Sequence, residues 1–121
     1  MFKQRCFLVD TENITNYHFI DEFDVYEEDI IIIFESEKSK PIAIEDFKRI
    51  INSSADISIE TVQGDTKTFL LLRLAMDIMN YDDEYFVVSD NPDFELAKNF
   101  IENDMNIYRN KKINLINTLN L

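Results

Sequence analysis

Cys6-Phe7-Leu8-Val9-Asp10 and Asp29-Ile30-Ile31-Ile32-Ile33-Phe34 decide the fold. Each is a short, unbroken apolar run, and β-branched residues dominate the second, which favours strand over helix. Neither run alternates with polar residues. Strands of that kind suit a parallel sheet covered on both faces, where every successive side chain meets a packed layer. Working outward, Ile57, Ile59 and Val62 alternate as a third strand, and Tyr85-Phe86-Val87-Val88 is a fourth apolar run. Asn106-Ile107-Tyr108 reads as a last short strand.

Helical spacing fills the gaps. Ile44, Phe47, Ile50 and Ile51 recur at helical intervals after Pro41. Gly64 ends the third strand, and Asp65 or Thr66 can cap a helix running to about Asn80 with a broad stripe of Phe69, Leu70, Leu72, Ala75, Met76 and Met79. Pro92 opens another helix, carrying Phe94, Leu96, Ala97, Phe100 and Ile101. Asn13 to Phe23 is a weak helix or loop. The alternation predicts an α/β domain of three layers, α/β/α, with a mostly parallel central sheet of four or five strands. Residues 1–112 form that domain, and 113–121 are an apolar C-terminal tail of one or two helical turns.

Composition excludes several classes. The chain has 121 residues, enough for one domain, and 12 Lys+Arg against 24 Asp+Glu, a net charge of −12. Such acidity argues against holding nucleic acid on a broad positive surface. No apolar stretch approaches the ~20 residues that span a bilayer, and the N-terminus has no signal-peptide pattern. Cys6, the single cysteine, reads as a small core residue, which makes a reducing cytoplasm the expected compartment. Gly64 is the only glycine, so neither a Walker loop nor a dinucleotide fingerprint exists. His18, the only histidine, reads as a partly buried structural residue.

In open parallel sheets, ligands bind beyond the carboxyl ends of the strands. Those ends carry Asp10 with Glu12 and Asn13, then Gly64-Asp65, then Ser89-Asp90-Asn91-Pro92-Asp93. If these strands are neighbours, the carboxylates converge, and a hard cation such as Mg²⁺ or Mn²⁺ would relieve their repulsion. Asp65 reads equally as a helix N-cap, and Asp93 is favoured in a first helical turn by the macrodipole alone. Asp10 directly ends a buried strand. Lys38, Lys40 and Lys67 lie near the same edge, as phosphate contacts or as solvated surface lysines, while Arg109, Lys111 and Lys112 cluster near the end of the chain.

Phe7-Leu8-Val9-Asp10-Thr11-Glu12-Asn13-Ile14 resembles the opening "hydrophobic-V-D-x-E-N-hydrophobic" motif of PIN-like proteins, particularly the NYN-type group and small bacterial relatives. The resemblance continues in order. Ile30–Phe34 with Glu35-Ser36 matches the second strand, Ser54-Ala55-Asp56-Ile57 the approach to the third, and Gly64 the turn into the central helix. Val87-Val88-Ser89-Asp90-Asn91-Pro92-Asp93-Phe94 resembles the family's "V-S-x-D-x-D/G-F". Together these cover roughly residues 5 to 110.

The resemblance implies a metal-dependent endoribonuclease using Mg²⁺ or Mn²⁺. Asp10, Asp93, Glu12 and Asn91 would be catalytic, and Asp10, Asp93, Asp65 and Asn91 would hold the metal. Asn13, Ser89, Lys38, Lys40 and Lys67 would bind RNA. Two of the family's carboxylates are replaced, because its helix aspartate falls on Phe69 and one loop aspartate on Asn91. Asp65, one turn before Phe69, is the expected substitute. The other reading is a scaffold without catalysis, an acidic module that binds or inhibits a basic protein, with the 113–121 tail as a contact for a partner or a homodimer.

Overall fold

The apolar runs are strands of a single sheet. β1 (Arg5–Asp10), β2 (Ile30–Glu35), β3 (Asp56–Thr61), β4 (Glu84–Val88) and β5 (Ile113–Ile116) lie in the order β3-β2-β1-β4-β5, every neighbouring pair parallel. The computed structural model describes residues 4–80, 83–103 and 113–121. Among the described residues four α-helices connect the strands: α1 (Phe19–Glu22), α2 (Ile44–Asn52), α3 (Thr66–Asn80) and α4 (Asp93–Asn103). This is the expected three-layer α/β/α architecture.

Side-chain alternation along the strands explains why the runs are apolar throughout. Cys6 and Leu8, with Ile32, Phe34, Tyr85 and Val87, pack against Leu70, Leu74 and Ile78 of α3 and Phe94 and Ile101 of α4. Phe7 and Val9, with Ile31, Ile33, Phe86 and Val88, face Ile14, Tyr17, Phe19 and Ile20 on the other side. The Phe7 ring stacks on Phe86 and Phe19, with centroids 4.6 and 5.4 Å apart. The chain steps outward from β1 to β2 to β3, then crosses back over β1 to β4 and β5. Its direction of winding reverses between β1 and β4, so a crevice opens at their carboxyl ends.

Three features differ from expectation. Residues 113–116 are not a helical tail but β5, an edge strand paired with β4 from Tyr85↔Ile113 to Val88↔Ile116. Ile113 and Ile116 fit a helical turn and a strand equally well, and the neighbouring strand decides between them. The strand expected at Asn106-Ile107-Tyr108, like Arg109, Lys111 and Lys112, lies outside the described residues. Finally, α2 and α3 are helices at the expected places, but Ile44, Phe47 and Ile51 of α2 and Phe69, Leu72 and Met76 of α3 face outward. The inner side of α2 carries Ile50, packed on the core as expected, and beside it a buried Asp46, whose Oδ1 accepts from Tyr17 N at 3.0 Å and Arg49 Nη1 at 3.0 Å.

The amino-terminal end of the sheet is fastened by Arg5 and the buried Asp29. Arg5 Nε donates to Asp29 Oδ1 at 3.0 Å and Nη2 to Oδ2 at 2.6 Å, while Nη2 also reaches Phe23 O at 3.0 Å. The guanidinium lies between the rings of Phe7 and Tyr26, 5.4 and 5.5 Å from their centroids, where its flat apolar faces are covered. Among the described residues no helix is long and apolar enough to cross a membrane.

Two core residues give direct tests. Cys6 is the core residue expected, and burial pushes its thiol up to about 12, so it stays protonated at neutral pH. Iodoacetamide at pH 8 is therefore expected to leave native Cys6 unlabelled and to label it fully once urea unfolds the chain. The sign for stability follows. The unfolded thiol ionises near its ordinary ~8.5 and the folded one does not, so this stabilisation is whole below that pH and falls away above it. Tyr17 is buried, and among the described residues its hydroxyl has no hydrogen-bond partner. Tyr17→Phe removes an unsatisfied group, and urea titration is expected to show stability unchanged or raised by up to about 1 kcal/mol.

Candidate functional site

Asp10 ends β1 with its side chain on the α3–α4 face, the side that Cys6 and Leu8 also take. Val9 pairs with Val88, so Ser89 leaves β4 directly alongside Asp10. The first residue of α3, Thr66, sits over the same point. The Asp10 carboxylate is fully buried and meets three donors. Ser89 Oγ donates to Oδ2 at 2.8 Å, Asn13 Nδ2 donates to Oδ2 at 3.0 Å, and Thr66 Oγ1 donates to Oδ1.

Glu12 joins the group through the same threonine. Its Oε2 accepts the Thr66 backbone N–H at 2.8 Å and the Ser36 hydroxyl at 2.9 Å. Thr66 thus touches both carboxylates, one with its side chain and one with its backbone. Carboxylate oxygens each have two lone pairs. Those of Asp10 Oδ2 and Glu12 Oε2 are taken, whereas Asp10 Oδ1 keeps one and Glu12 Oε1 keeps both among the described residues.

Two helices start at this crevice, and their first N–H groups lack partners within the helix. In α3, Glu12 takes the Thr66 N–H and Asp65 Oδ1 takes the Thr68 N–H at 2.7 Å. In α4, Asn91 Oδ1 accepts Asp93 N at 2.9 Å, and Ser89 Oγ accepts Asn91 N at 3.1 Å. The positive ends of both helix dipoles favour anions here, carboxylate or phosphate alike. Lys67 Nζ bridges the two starts to Asp93 Oδ2 at 2.9 Å, and that contact raises the pKa of the ammonium.

The expected site residues therefore divide. Asp10, Glu12, Asn13 and Ser89 come together as one bonded group. Asn91 caps α4 at its rim, and Asp93 is held by Lys67 rather than by the group around Asp10. Asp65, expected as a metal ligand, is exposed and serves as the N-cap of α3, where its bond to Thr68 lowers its pKa. It shares the outward face of Phe69, and the residue that turns toward Asp10 is Thr66. Asp90 is no substitute ligand either. Its Oδ1 accepts Thr118 N at 2.5 Å and its Oδ2 accepts Thr118 Oγ1 at 2.5 Å, which fastens the chain end beside β5. The 113–121 segment is thus built into the domain.

A groove of about 390 Å³ opens beside the group, lined by Glu12, Asn13, Lys40, Asp90, Asn91 and Leu119. Lys40 is exposed and lies in the groove lining. Lys38 is exposed on the loop after β2, outside the groove lining, with its N–H on Ser36 Oγ at 3.1 Å. His18 directly precedes α1 and is not among the groove-lining residues. No site role is expected from the sequence for Thr66, Ser36 or Thr118. Only Thr66 carried a signal, as the alternative cap of α3.

Among the described residues no group of three or more His, Cys, Asp or Glu side chains is placed to hold a metal ion. A hard cation such as Mg²⁺ needs less, since one or two carboxylates suffice when water and substrate phosphate complete the shell. Asp10 and Glu12, joined through Thr66, are the two carboxylates at this crevice that could supply it. Comparison with protein-family models, with curated proteins and with solved structures finds no match to this chain.

Proposed function

We propose that the chain is a PIN-like, metal-dependent endoribonuclease with a reduced acidic site, which hydrolyses RNA phosphodiester bonds at the β1–β4 crevice. The tether of Asp10 and Glu12 to Thr66 carries this reading, because it holds two carboxylates with free lone pairs at the reversal point of the sheet. Mg²⁺ or Mn²⁺, when bound, would supply an activated water and neutralise charge developing on the phosphodiester. Asp10 and Glu12 hold the anionic pocket, and Ser89, Asn13 and Thr66 orient Asp10. The starts of α3 and α4, with Asn13 and Lys40, receive the backbone of single-stranded RNA. Asp93 positions the Lys67 ammonium toward the same phosphates. A reducing cytoplasm is the compartment this reading implies, given the single free thiol.

The test is cleavage of a fluorescent single-stranded RNA in millimolar Mn²⁺. Wild type is expected to cleave, EDTA to stop it, and Asp10→Asn to slow it by about 100-fold or more. Equal cleavage by wild type and Asp10→Asn, or none by either, would sink the assignment. The second reading, an acidic module for a basic protein, draws on the Lys67–Asp93 pair, which commits one expected ligand to an internal cation, and on the charge of −12. It predicts salt-sensitive capture of a basic protein that Asp10→Asn leaves intact.

A further inference from the structure

An apolar surface surrounds the free edge of the sheet. Among the described residues β3 is an edge strand, with β2 on one side only. Asp56 N donates to Asp29 O at 3.0 Å and Val62 N to Glu35 O at 2.8 Å. Even-numbered residues therefore turn their backbone groups inward to β2, and Ile57, Ile59 and Thr61 turn theirs outward. Such an edge is a template for another strand unless charge, proline or a bulge protects it. The outward positions here are Ile, Ile and Thr.

Both flanking helices extend this surface. Glu45, Lys48, Arg49 and Asn52 line the cavity between α2 and α1, so Ile44, Phe47 and Ile51 lie on the side of α2 turned away from α1, toward β3. On the opposite face of the sheet, Arg73 of α3 reaches Glu60 of β3 at 2.9 Å, and Phe69, Leu72 and Met76 lie exposed around it. With Ile59 these side chains are between 38% and 74% exposed. They amount to on the order of 700 Å² of apolar surface, against about 800 Å² per partner in a standard specific interface. Part of the nearby charge is paired within the chain. Arg73 pairs with Glu60 and Asp77, both at 2.9 Å, and Glu35 Oε1 accepts Thr61 Oγ1 at 2.9 Å.

We propose that a second copy of this chain covers the surface, with the two β3 strands pairing antiparallel about a two-fold axis through Ile59. Charge selects the register. Only outward residues can exchange backbone bonds, which leaves axes at Ser58, Ile59 or Glu60 near the strand centre. An axis at Ser58 sets Asp56 against Glu60 of the other copy, and an axis at Glu60 sets Glu60 against itself. The axis at Ile59 pairs Ile59 with Ile59, Ile57 with Thr61, Ser58 with Glu60 and Asp56 with Val62, with no like charges opposed. The two sheets become one of ten strands, and the helices on either side meet their counterparts. Because each copy carries −12, added salt strengthens the dimer.

The test is the solution mass of the full chain, measured by light scattering in 0.15 and 0.5 M NaCl, together with cysteine cross-linking. Twice the 14.4 kDa of one chain is expected, more completely at high salt. Phe47→Lys and Met76→Lys should return it to one chain without changing the circular dichroism. Ile59→Cys should form an intermolecular disulfide on mild oxidation, since Cα atoms in a hydrogen-bonded antiparallel pair are ~5.5 Å apart, within disulfide reach. Thr61→Cys, which faces Ile57, should not. A single-chain mass at both salts overturns the proposal, as does a dimer indifferent to the lysine variants or one in which Thr61→Cys cross-links and Ile59→Cys does not. Recovery of a single chain that instead takes up a strand from a different protein also overturns it.

Discussion

Asp10→Ala is expected to lower the unfolding free energy by about 3 kcal/mol, with urea titration as the measurement. The loss does not come from apolar area. Asp10 is fully buried, and removing its carboxylate leaves the Ser89 hydroxyl, the Thr66 hydroxyl and the Asn13 amide without their acceptor. Each stranded donor costs about 1–3 kcal/mol where water cannot reach it, and the hole left by alanine admits enough relaxation to keep the sum near the lower end. Asp10→Asn keeps the shape and one acceptor oxygen, so its loss should be less than half as large. The contrast separates the two roles of the residue. Asparagine should remove cleavage while leaving the fold, whereas a purely structural Asp10 would lose stability in both variants and activity only in proportion.

Arg5→Ala is expected to cost about 3 kcal/mol or more, again by urea titration, because it leaves Asp29 buried with its charge unpaired. Among the described residues Asp29 then retains the Tyr26 N–H alone, which donates to Oδ2 at 3.0 Å. The cost belongs to breaking the pair rather than to the strength of the pair itself. Replacing both partners with apolar residues of similar volume, Arg5→Met with Asp29→Leu, should therefore recover most of the stability. If the double variant is as unstable as Arg5→Ala, the bonds from Arg5 to the Phe23 and Asp24 carbonyls matter more than the buried charge.

The central strands are legible in the sequence because both their faces are buried. In Ile30–Phe34 no position can be polar, and that constraint is visible in one line of residues. β5 is less legible because an edge strand has fewer constraints: Asn114 can alternate with Ile113 and Leu115, and the pattern also fits a helical turn until β4 is seen beside it. The same limit applies to α2 and α3. Period 3.6 identifies the helix but not the side that packs, and in α2 the inner side sets a buried Asp46 beside Ile50 while the other apolar residues face out. Within the crevice, Asp10, Glu12, Asn13 and Ser89 follow from strand ends and resemblance. The part played by Thr66 depends on where a helix begins relative to a strand 56 residues earlier in the chain. The carboxylates nearest the replaced positions are engaged locally, Asp65 by the Thr68 N–H and Asp90 by Thr118.

A cation held jointly by Asp10 and Glu12 is the centre of this account, and Mn²⁺ titration followed by electron paramagnetic resonance tests it most directly. One Mn²⁺ per chain is expected for wild type, with binding weakened at least tenfold in Asp10→Asn and in Glu12→Gln and unchanged in Asp65→Asn. Absence of stoichiometric Mn²⁺ binding, or equal weakening by Asp65→Asn, would contradict it.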